Sequence, residues 1–320
     1  MSSPPLISIV IPCYNHGHYL AEAIRSAGTS TRPVEVLVVD DGSIDETADV
    51  VEAVKKTPGL EIAGIRYIRQ ANAGLARARN RGFEESRGES IVFLDADDRL
   101  TSGGLDIGAV ALDEHPECAF AFGRCLMMAA DGALLATPLQ PTITGDYYRA
   151  MLRRNYIWMP ATVMFRREAV ERAGGFDPQL NASADYDLYL RIARHHPVHD
   201  HGQVVAHYRR HDTNMSGNAS LMLRETLAVL RHQRPFLEGD TASLAAYEEG
   251  WRMWQDFYGT QLVNEIRAHV AAREWRRAVR KAATLGRYHP RGLAHHAQQK
   301  VRVAVRSRKE ASGPSPRMPA

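Results

Sequence analysis

Three carboxylates stand within four positions directly after an apolar run, in the stretch FLDADD at Phe93–Asp98. Like charges so close repel each other, and burying an unpaired carboxylate costs free energy. These six residues alone leave two explanations open. Either the stretch is a solvated acidic turn, since Asp favours Asx turns, or its oxygens bind a divalent cation, since Mg²⁺ and Mn²⁺ prefer carboxylate ligands.

The residues around this stretch alternate between predicted strands and helices. Short apolar runs predict four strands, at 7–11, 34–40, 65–69 and 90–95. The predicted helices between them are 19–27, a helix that a Ser43-x-x-Glu46 capping box opens, and 75–86. Strands that alternate with helices of about ten residues are typical of a parallel sheet in an α/β fold.

Polar clusters follow three of the predicted strands. Cys13-Tyr14-Asn15 comes after the first strand, Asp40-Asp41 ends the second, and Asp95-Ala96-Asp97-Asp98 ends the fourth. Ligands of such sheets bind beyond the carboxyl ends of the strands. We therefore expect one crevice to hold all three clusters.

Several nucleotide-binding classes do not fit these clusters. A G-x-G-x-x-G fingerprint should follow the first strand, but the loop CYNHGHY carries a single glycine. The sequence also lacks a G-x-x-x-x-G-K-[ST] loop. Asp40-Asp41 is similar to the acidic pair of a phosphoacceptor receiver domain, but that domain is far smaller and carries its pair after the first strand. The remaining interpretation is a nucleoside diphosphate whose charge a divalent cation neutralises.

The rest of the chain is less regular. Residues 118–123 and 126–130 predict a strand pair, and 218–286 are helical in composition. Further helices are predicted at 146–154, 168–173 and 185–196. The last residues, 310–320, have the composition of a disordered tail.

Charge is distributed unevenly along the chain. Residues 261–310 carry thirteen Lys/Arg against three Asp/Glu, a local charge of +10, so the remainder carries −7 of the net +3. Residues 272–286 predict an amphipathic helix that either lies on anionic lipid or packs on the rest of the protein through Trp275. We predict no nucleic-acid binding, because no aromatic platform or known motif accompanies the basic residues.

Composition bounds the remaining classes. The 320 residues are 44% hydrophobic and 24% charged, which is ordinary for a globular protein. The sequence contains no run of about 18 or more apolar residues, so we expect no segment that spans a bilayer. The N-terminus shows no signal-peptide pattern. Cys13, Cys118 and Cys125 form no C-x-x-C pair, so we expect reduced, mostly buried thiols in a cytoplasmic protein. If the basic helix at 272–286 lies on lipid, we expect that contact to be peripheral, at the inner membrane face.

Five segments in order resemble the family 2 glycosyltransferases of the GT-A fold. They are ISIVIPCYN (7–15), VEVLVVDDGSIDET (34–47), NAGLARARNRGFEESRGESIVFLDADD (72–98), GGFDPQLNASADYDLYLRI (174–192) and YRRHDTNMS (208–216). The resemblance implies a Rossmann-like, mostly parallel sheet flanked by helices. It also implies a catalytic domain at 1–217, with a nucleotide-binding part (1–100) and an acceptor part (101–217), followed by a helical basic extension at 218–309.

The resemblance also implies roles for individual residues. Asp185 is the expected catalytic base, and Asp97, the last residue of the D-x-D motif, is the expected principal metal ligand, with Mn²⁺ or Mg²⁺ as the cation. His211 is expected to contact the metal or the diphosphate from the far side. The residues expected around the nucleotide-sugar are Pro12, Tyr14, Asn15, Asp41, Arg77, Asn80 and Asp95.

The implied reaction moves a sugar with inversion from a UDP-, GDP- or dTDP-linked donor to a hydroxyl of a saccharide or lipid-linked acceptor, in the synthesis of cell-surface polysaccharides or glycoconjugates. One carboxylate base suffices, because the metal stabilises the leaving diphosphate. Many relatives carry Glu-Asp where this chain has Ala184-Asp185, which leaves Asp187 open as the base. The alternatives are a nucleotide-sugar binding module without activity and a nucleotidyltransferase, although the latter should show a Gly-rich loop.

Overall fold

The strands predicted in the first hundred residues are present in the computed structural model, which describes residues 5–290. Within this range eight strands form one sheet in the order β3-β2-β1-β4-β7-β6-β8-β5. The strands are β1 (Ile7–Cys13), β2 (Val34–Asp40), β3 (Gly64–Arg69), β4 (Ser90–Phe93), β5 (Arg99–Leu100), β6 (Phe120–Met128), β7 (Val163–Arg166) and β8 (His199–Arg209).

Helices cover both faces of this sheet. They are α1 (Gly17–Ala27), α2 (Thr47–Lys55), α3 (Leu75–Glu85), α4 (Gly104–Glu114), α5 (Tyr147–Arg153), α6 (Arg167–Ala173), α7 (Ala184–Ala193), α8 (Ala219–Gln233), α9 (Thr241–Ala271) and α10 (Trp275–Tyr288). Short 3₁₀ turns occupy Pro160–Thr162, Met215–Gly217 and Arg234–Leu237.

The N-terminal half of the sheet is parallel, which confirms the α/β prediction. β1 pairs in parallel with β2 and β4, and β2 pairs in parallel with β3. β7 runs antiparallel to both β4 and β6, whereas β6 and β8 are parallel. The carboxyl ends of β1, β2 and β4 therefore meet at one edge of the sheet, as the sequence predicted.

Two local predictions were wrong. Residues 118–130 do not form a strand pair: β6 is one continuous strand, and its partners β7 and β8 come from later in the chain. Ser43 does not cap α2, because its Oγ accepts the backbone N–H of Asn15 and its own N–H donates to Asp40 Oδ1. The polar loop after β1 uses the hydroxyl that the capping box requires, and α2 begins only at Thr47.

The core lies in two layers, one on each face of the sheet. Ile9 and Ile11 of β1 belong to the layer under α1, α2 and α4, whereas Val10 belongs to the layer under α3, α7, α8 and α9. This division follows the alternation of side chains along a strand.

The core layer that contains Val10 includes residues from both sides of position 217. Leu223 and Leu227 of α8 pack in the same cluster as Phe120 of β6. The division into domains at 217 stays a prediction, and the predicted tail at 310–320 lies outside the described residues.

The long helix α9 is held close to α5 by a glycine. A Cβ on Gly250 would lie 2.0 Å from the carbonyl oxygen of Leu152, so only glycine allows this approach. Helix α10 then packs on α9 and α8 through Ala278 and Leu285. One of the two interpretations of this helix had it pack on the rest of the protein through Trp275, but Trp275 is 59% exposed.

Cys13, Cys118 and Cys125 are all buried free thiols. Burial raises the pKa of the Cys13 thiol to about 11. Within residues 5–290, no helix has both the length and the apolar character needed to cross a membrane.

Candidate active site

The carboxyl ends of β1, β2 and β4 open into a cavity of about 1090 Å³. The three predicted clusters contribute to its wall through Pro12 and Tyr14, through Asp41, and through Asp95 to Asp98. The start of α7 and the segment after β8 close the cavity from the other side with Asp185 and His211. The parallel strand ends therefore position the acidic groups, and the later chain segments bring the remaining polar groups to them.

Asp97 lies between two histidines. His211 Nε2 is 2.8 Å from Asp97 Oδ2. One ligand atom from each of His16, Asp97 and His211 lies within 4.8 Å of those of the other two. Thr213 Oγ1 is 2.8 Å from Nδ1 of His211, which fixes the ring and leaves Nε2 facing Asp97. Two imidazole nitrogens and a carboxylate oxygen fit a divalent transition cation such as Mn²⁺ better than Mg²⁺, which strongly prefers oxygen ligands.

The other two acids of FLDADD each accept a hydrogen bond from an arginine residue, Asp95 from a side chain and Asp98 from a backbone N–H. Asp95 Oδ1 accepts a hydrogen bond of 2.7 Å from Nη2 of Arg79, whose side chain is buried. Asp98 Oδ1 accepts the backbone N–H of Arg209, and burial raises the pKa of the Asp98 carboxyl well above its usual range. All three acids line the cavity, and Asp98 also supports the turn through its bond to the backbone of Arg209.

Asp185 is the second residue of α7 and faces the cavity. Burial raises the pKa of its carboxyl to about 6, although the nearby Arg79 and the backbone N–H of Tyr186 favour the ionised form. A carboxyl with a pKa near neutrality is suited to proton transfer.

Asp187 stands two residues later on the same helix and is buried elsewhere. Its Oδ2 accepts a hydrogen bond of 2.6 Å from Nε of Arg191, and its Oδ1 lies 3.6 Å from Nδ1 of His232. Of the two acids, only Asp185 lines the cavity.

Asp41 and Asp40 have separate surroundings. Asp41 accepts the backbone N–H groups of Ala73 and Gly74, and Nε2 of Gln70. These bonds hold the loop between β3 and α3 at the cavity, whose wall includes Asp41. Asp40 supports the same edge by accepting the Tyr67 hydroxyl.

The other predicted nucleotide-sugar residues divide into two groups. Pro12 and the half-exposed Tyr14 line the cavity, whereas Asn15, Arg77 and Asn80 do not. Asn15 Oδ1 accepts the N–H of Ile44, and Asn80 exchanges two hydrogen bonds with the backbone of Phe176.

Arg77 is exposed and donates to the carbonyl of Ala73. Its place in the cavity wall is taken by Arg79, two residues further along α3.

Sequence reasoning did not single out His16 or Arg79. His16 lies in the polar loop after the first predicted strand, so its position at the sheet edge was available as a signal. Arg79 carries no such signal, since it is one of several arginines in its segment and only the orientation of α3 distinguishes it from Arg77.

Solved structures support the fold. Residues 1–349 of Staphylococcus aureus TarS, in complex with UDP-GlcNAc, superimpose with a TM-score of 0.63 at 18% identity, covering 91% of this chain and 83% of the TarS 1–349 chain. The mannosyltransferase PcManGT of Pyrobaculum calidifontis, solved with GDP-Man and Mn²⁺, gives 0.57 at 17% identity, covering 89% and 86%. Both likenesses concern the GT-A architecture.

Curated relatives of similar sequence are named for glycosyl transfer or polysaccharide synthesis. The Bacillus subtilis glycosyltransferase TuaG, named for teichuronic acid biosynthesis, is 28% identical over 229 residues, which are 71% of this chain and 88% of TuaG. The succinoglycan biosynthesis protein ExoU of Rhizobium meliloti is 30% identical, covering 64% of this chain and 63% of ExoU. Escherichia coli chondroitin synthase is 29% identical over 66% of this chain and only 30% of its own length. The chain thus spans less than two thirds of several relatives.

The family model described as Glycosyl transferase family 2 matches residues 8–172, which is more than half of the chain and includes the strand ends, Asp41 and the D-x-D turn. With the GT-A architecture and the acidic cavity already in place, this match leads to one conclusion: the chain belongs to glycosyl transferase family 2.

Proposed function

We propose that the protein transfers a sugar with inversion from a nucleoside-diphosphate sugar to an acceptor hydroxyl, in the synthesis of a cell-surface polysaccharide or glycoconjugate. The observation that carries the proposal is the position of Asp185, whose pKa is raised to about 6, in the same cavity as Asp41 and Asp97. Relatives named for teichuronic acid and succinoglycan biosynthesis support the product class.

In this mechanism the acceptor oxygen forms a bond to the anomeric carbon while the bond from that carbon to the diphosphate oxygen breaks. Asp185 accepts the hydroxyl proton, which contributes about 10²–10⁴-fold in rate. Asp41 accepts a hydrogen bond from the base, and Tyr14 packs beside it. A cation held by Asp97, His211 and His16 would neutralise charge on the diphosphate when bound.

Donor binding is tested by thermal unfolding with UDP-, GDP- and dTDP-sugars, each with and without Mn²⁺. A donor at a hundredfold its Kd contributes about 2.7 kcal/mol to stability. We expect one nucleotide class to stabilise the protein, and only with the cation.

Transfer itself is tested by the anomeric configuration of the product in NMR spectra. Stabilisation by a donor without transfer or donor hydrolysis would favour the alternative, a nucleotide-sugar binding module. A product that retains the donor's configuration would contradict the inverting mechanism.

We also propose that α10 makes peripheral contact with anionic lipid at the inner membrane face. Its outward surface presents Arg276, Arg280 and Arg287, together with Trp275 and Val279, which are 59% and 65% exposed. Each basic residue near an anionic surface contributes about 1 kcal/mol to binding. Such a helix, with basic and apolar residues on one surface, suits the membrane interface.

The lipid contact is tested by sedimentation with vesicles that contain phosphatidylglycerol. Arg276→Glu combined with Arg280→Glu should abolish sedimentation. Arg25→Glu combined with Lys56→Glu changes the net charge equally at exposed positions outside α10 and serves as the control. Equal sedimentation of the two double variants would refute the contact.

A further inference from the structure

One side of the cavity is formed by helices rather than by strand ends. Helices α8 and α9 line it with Met222, Thr226, Met253, Trp254, Phe257 and Tyr258. None of these side chains is charged, and their polar groups are the hydroxyls of Thr226 and Tyr258 and the buried indole N–H of Trp254. The charged groups of the cavity come instead from the strand ends, from Arg79 of α3, from the start of α7, and from the segments around Arg154 and Arg210.

This apolar wall, meaning these six residues of α8 and α9, is a packed aromatic cluster. The rings of Trp254 and Tyr258 stack with centroids 5.5 Å apart, and Phe257 meets Tyr258 edge to face at 4.9 Å. Phe257 is nonetheless 49% exposed. Trp254 and Tyr258 are buried beneath it, and Met222 and Met253 are partly exposed beside it. The accessible part of the wall is therefore apolar, as is usual in a site for an apolar ligand.

The apolar wall begins next to Asp185. Trp254 contacts Tyr186, the neighbour of Asp185, with ring centroids 6.3 Å apart. The Asp185 carboxylate is close enough to Tyr258 to help raise the pKa of its phenol. The wall therefore lies where an acceptor whose hydroxyl reaches Asp185 can place its adjoining atoms.

The composition of the wall selects between acceptor classes. A bare saccharide carries hydroxyls around its ring and needs several polar partners, but the polar groups of the wall are two hydroxyls, of Thr226 and Tyr258, and the buried indole N–H of Trp254. The unbranched side chains of Met222 and Met253 adapt instead to a hydrocarbon chain.

We propose that the wall binds the hydrocarbon portion of an amphiphilic acceptor, with the attacked hydroxyl held at Asp185. This inference rests on the proposed transferase function and specifies its acceptor.

The proposal is tested with methyl, hexyl and octyl β-glucopyranosides below their micelle concentrations, titrated into the full chain by calorimetry. Each buried methylene should increase affinity by up to about fourfold, so we expect octyl glucoside to bind at least a hundredfold tighter than methyl glucoside. Equal affinities for the three glycosides would overturn the proposal.

Variants locate the binding on the wall. Phe257→Ser should weaken octyl glucoside binding about tenfold or more while leaving stabilisation by the nucleotide-sugar unchanged. The matched control is Phe236→Ser, since Phe236 is 58% exposed and does not line the cavity. If Phe257→Ser and Phe236→Ser bind octyl glucoside equally well, the wall is not the binding surface.

Different results would refute the proposed transferase function and the proposed acceptor site. The lack of stabilisation by any nucleotide-sugar would refute the donor side, whereas the dependence on chain length and on Phe257 reports on the wall alone.

Discussion

His211 Nε2 and Asp97 Oδ2 lie 2.8 Å apart although 114 positions separate the two residues in the chain. Arg209 brings them together from the end of β8. Its N–H donates to Asp98 Oδ1, and its Nε donates to the carbonyl of Asp97 over 2.6 Å. The carboxylate and the imidazole are therefore positioned by the protein before any cation binds.

The first prediction concerns the cation. His16→Ala and His211→Ala should each weaken Mn²⁺ binding about tenfold or more, because each removes a nitrogen near Asp97. Calorimetric titration with Mn²⁺ alone measures this without relying on activity. His18→Ala is the matched control, since His18 is exposed and absent from the cluster. Undiminished binding in His16→Ala would limit the ligand set to Asp97 and His211.

The second prediction separates the two acids of α7. Asp185→Asn should lower turnover about 10²–10⁴-fold, because it removes the proton acceptor. It should also raise the free energy of unfolding at pH 7 by about 1 kcal/mol, because the fold no longer desolvates a carboxylate.

Asp187→Asn should lower the free energy of unfolding, because it breaks the buried pair with Arg191. It should leave turnover near wild type, because Asp187 does not line the cavity. Chemical denaturation and turnover at low temperature measure the two effects. Near wild-type turnover in Asp185→Asn would reject Asp185 as the base.

The third prediction is a pH dependence. The pKa of Asp185 is raised to about 6, so the folded protein holds this proton between about pH 4 and 6, where the unfolded chain has released it. The contribution of this group to stability is therefore lost as the pH rises through 6. Activity should change in the opposite direction, with kcat/KM falling about tenfold per pH unit below 6. A flat profile between pH 5 and 7 would contradict the assignment.

The fourth prediction compares two arginines of α3. Arg79→Met should cost about 3 kcal/mol of stability, because it leaves Asp95 without its buried partner. It should also move the acidic limb of the pH profile upward, since Arg79 favours the ionised form of Asp185. Arg77→Met is the control and should change neither quantity, because Arg77 is exposed and lies outside the cavity wall.

The fifth prediction concerns the support of the apolar wall. Gly250→Ala should lower stability by about 2 kcal/mol, because the new Cβ would collide with the carbonyl oxygen of Leu152 and push α9 away from α5. Urea denaturation measures this change. Gly217→Ala, where a Cβ would meet nothing within 4 Å, should stay within about 0.5 kcal/mol of wild type.

The sequence by itself determined the parallel half of the sheet and the edge at which the acids gather. Apolar runs that end in Asp40-Asp41 and in Asp95–Asp98 predict this edge, because parallel strands place their carboxyl ends together. The same reasoning failed for residues 118–130, since the partners of β6 come from distant segments and local pattern contains no information about them.

Only the tertiary structure decided which members of each cluster face the cavity. Arg77 and Arg79, like Asp185 and Asp187, stand two residues apart, about 200° around a helix, so the packing of that helix selects one and turns the other away. The meeting of His16 with His211, and of α9 with Asp185, depends on long-range contacts. The acids of FLDADD are local in sequence, but Arg79, Arg209 and the two histidines that divide their roles come from elsewhere in the chain.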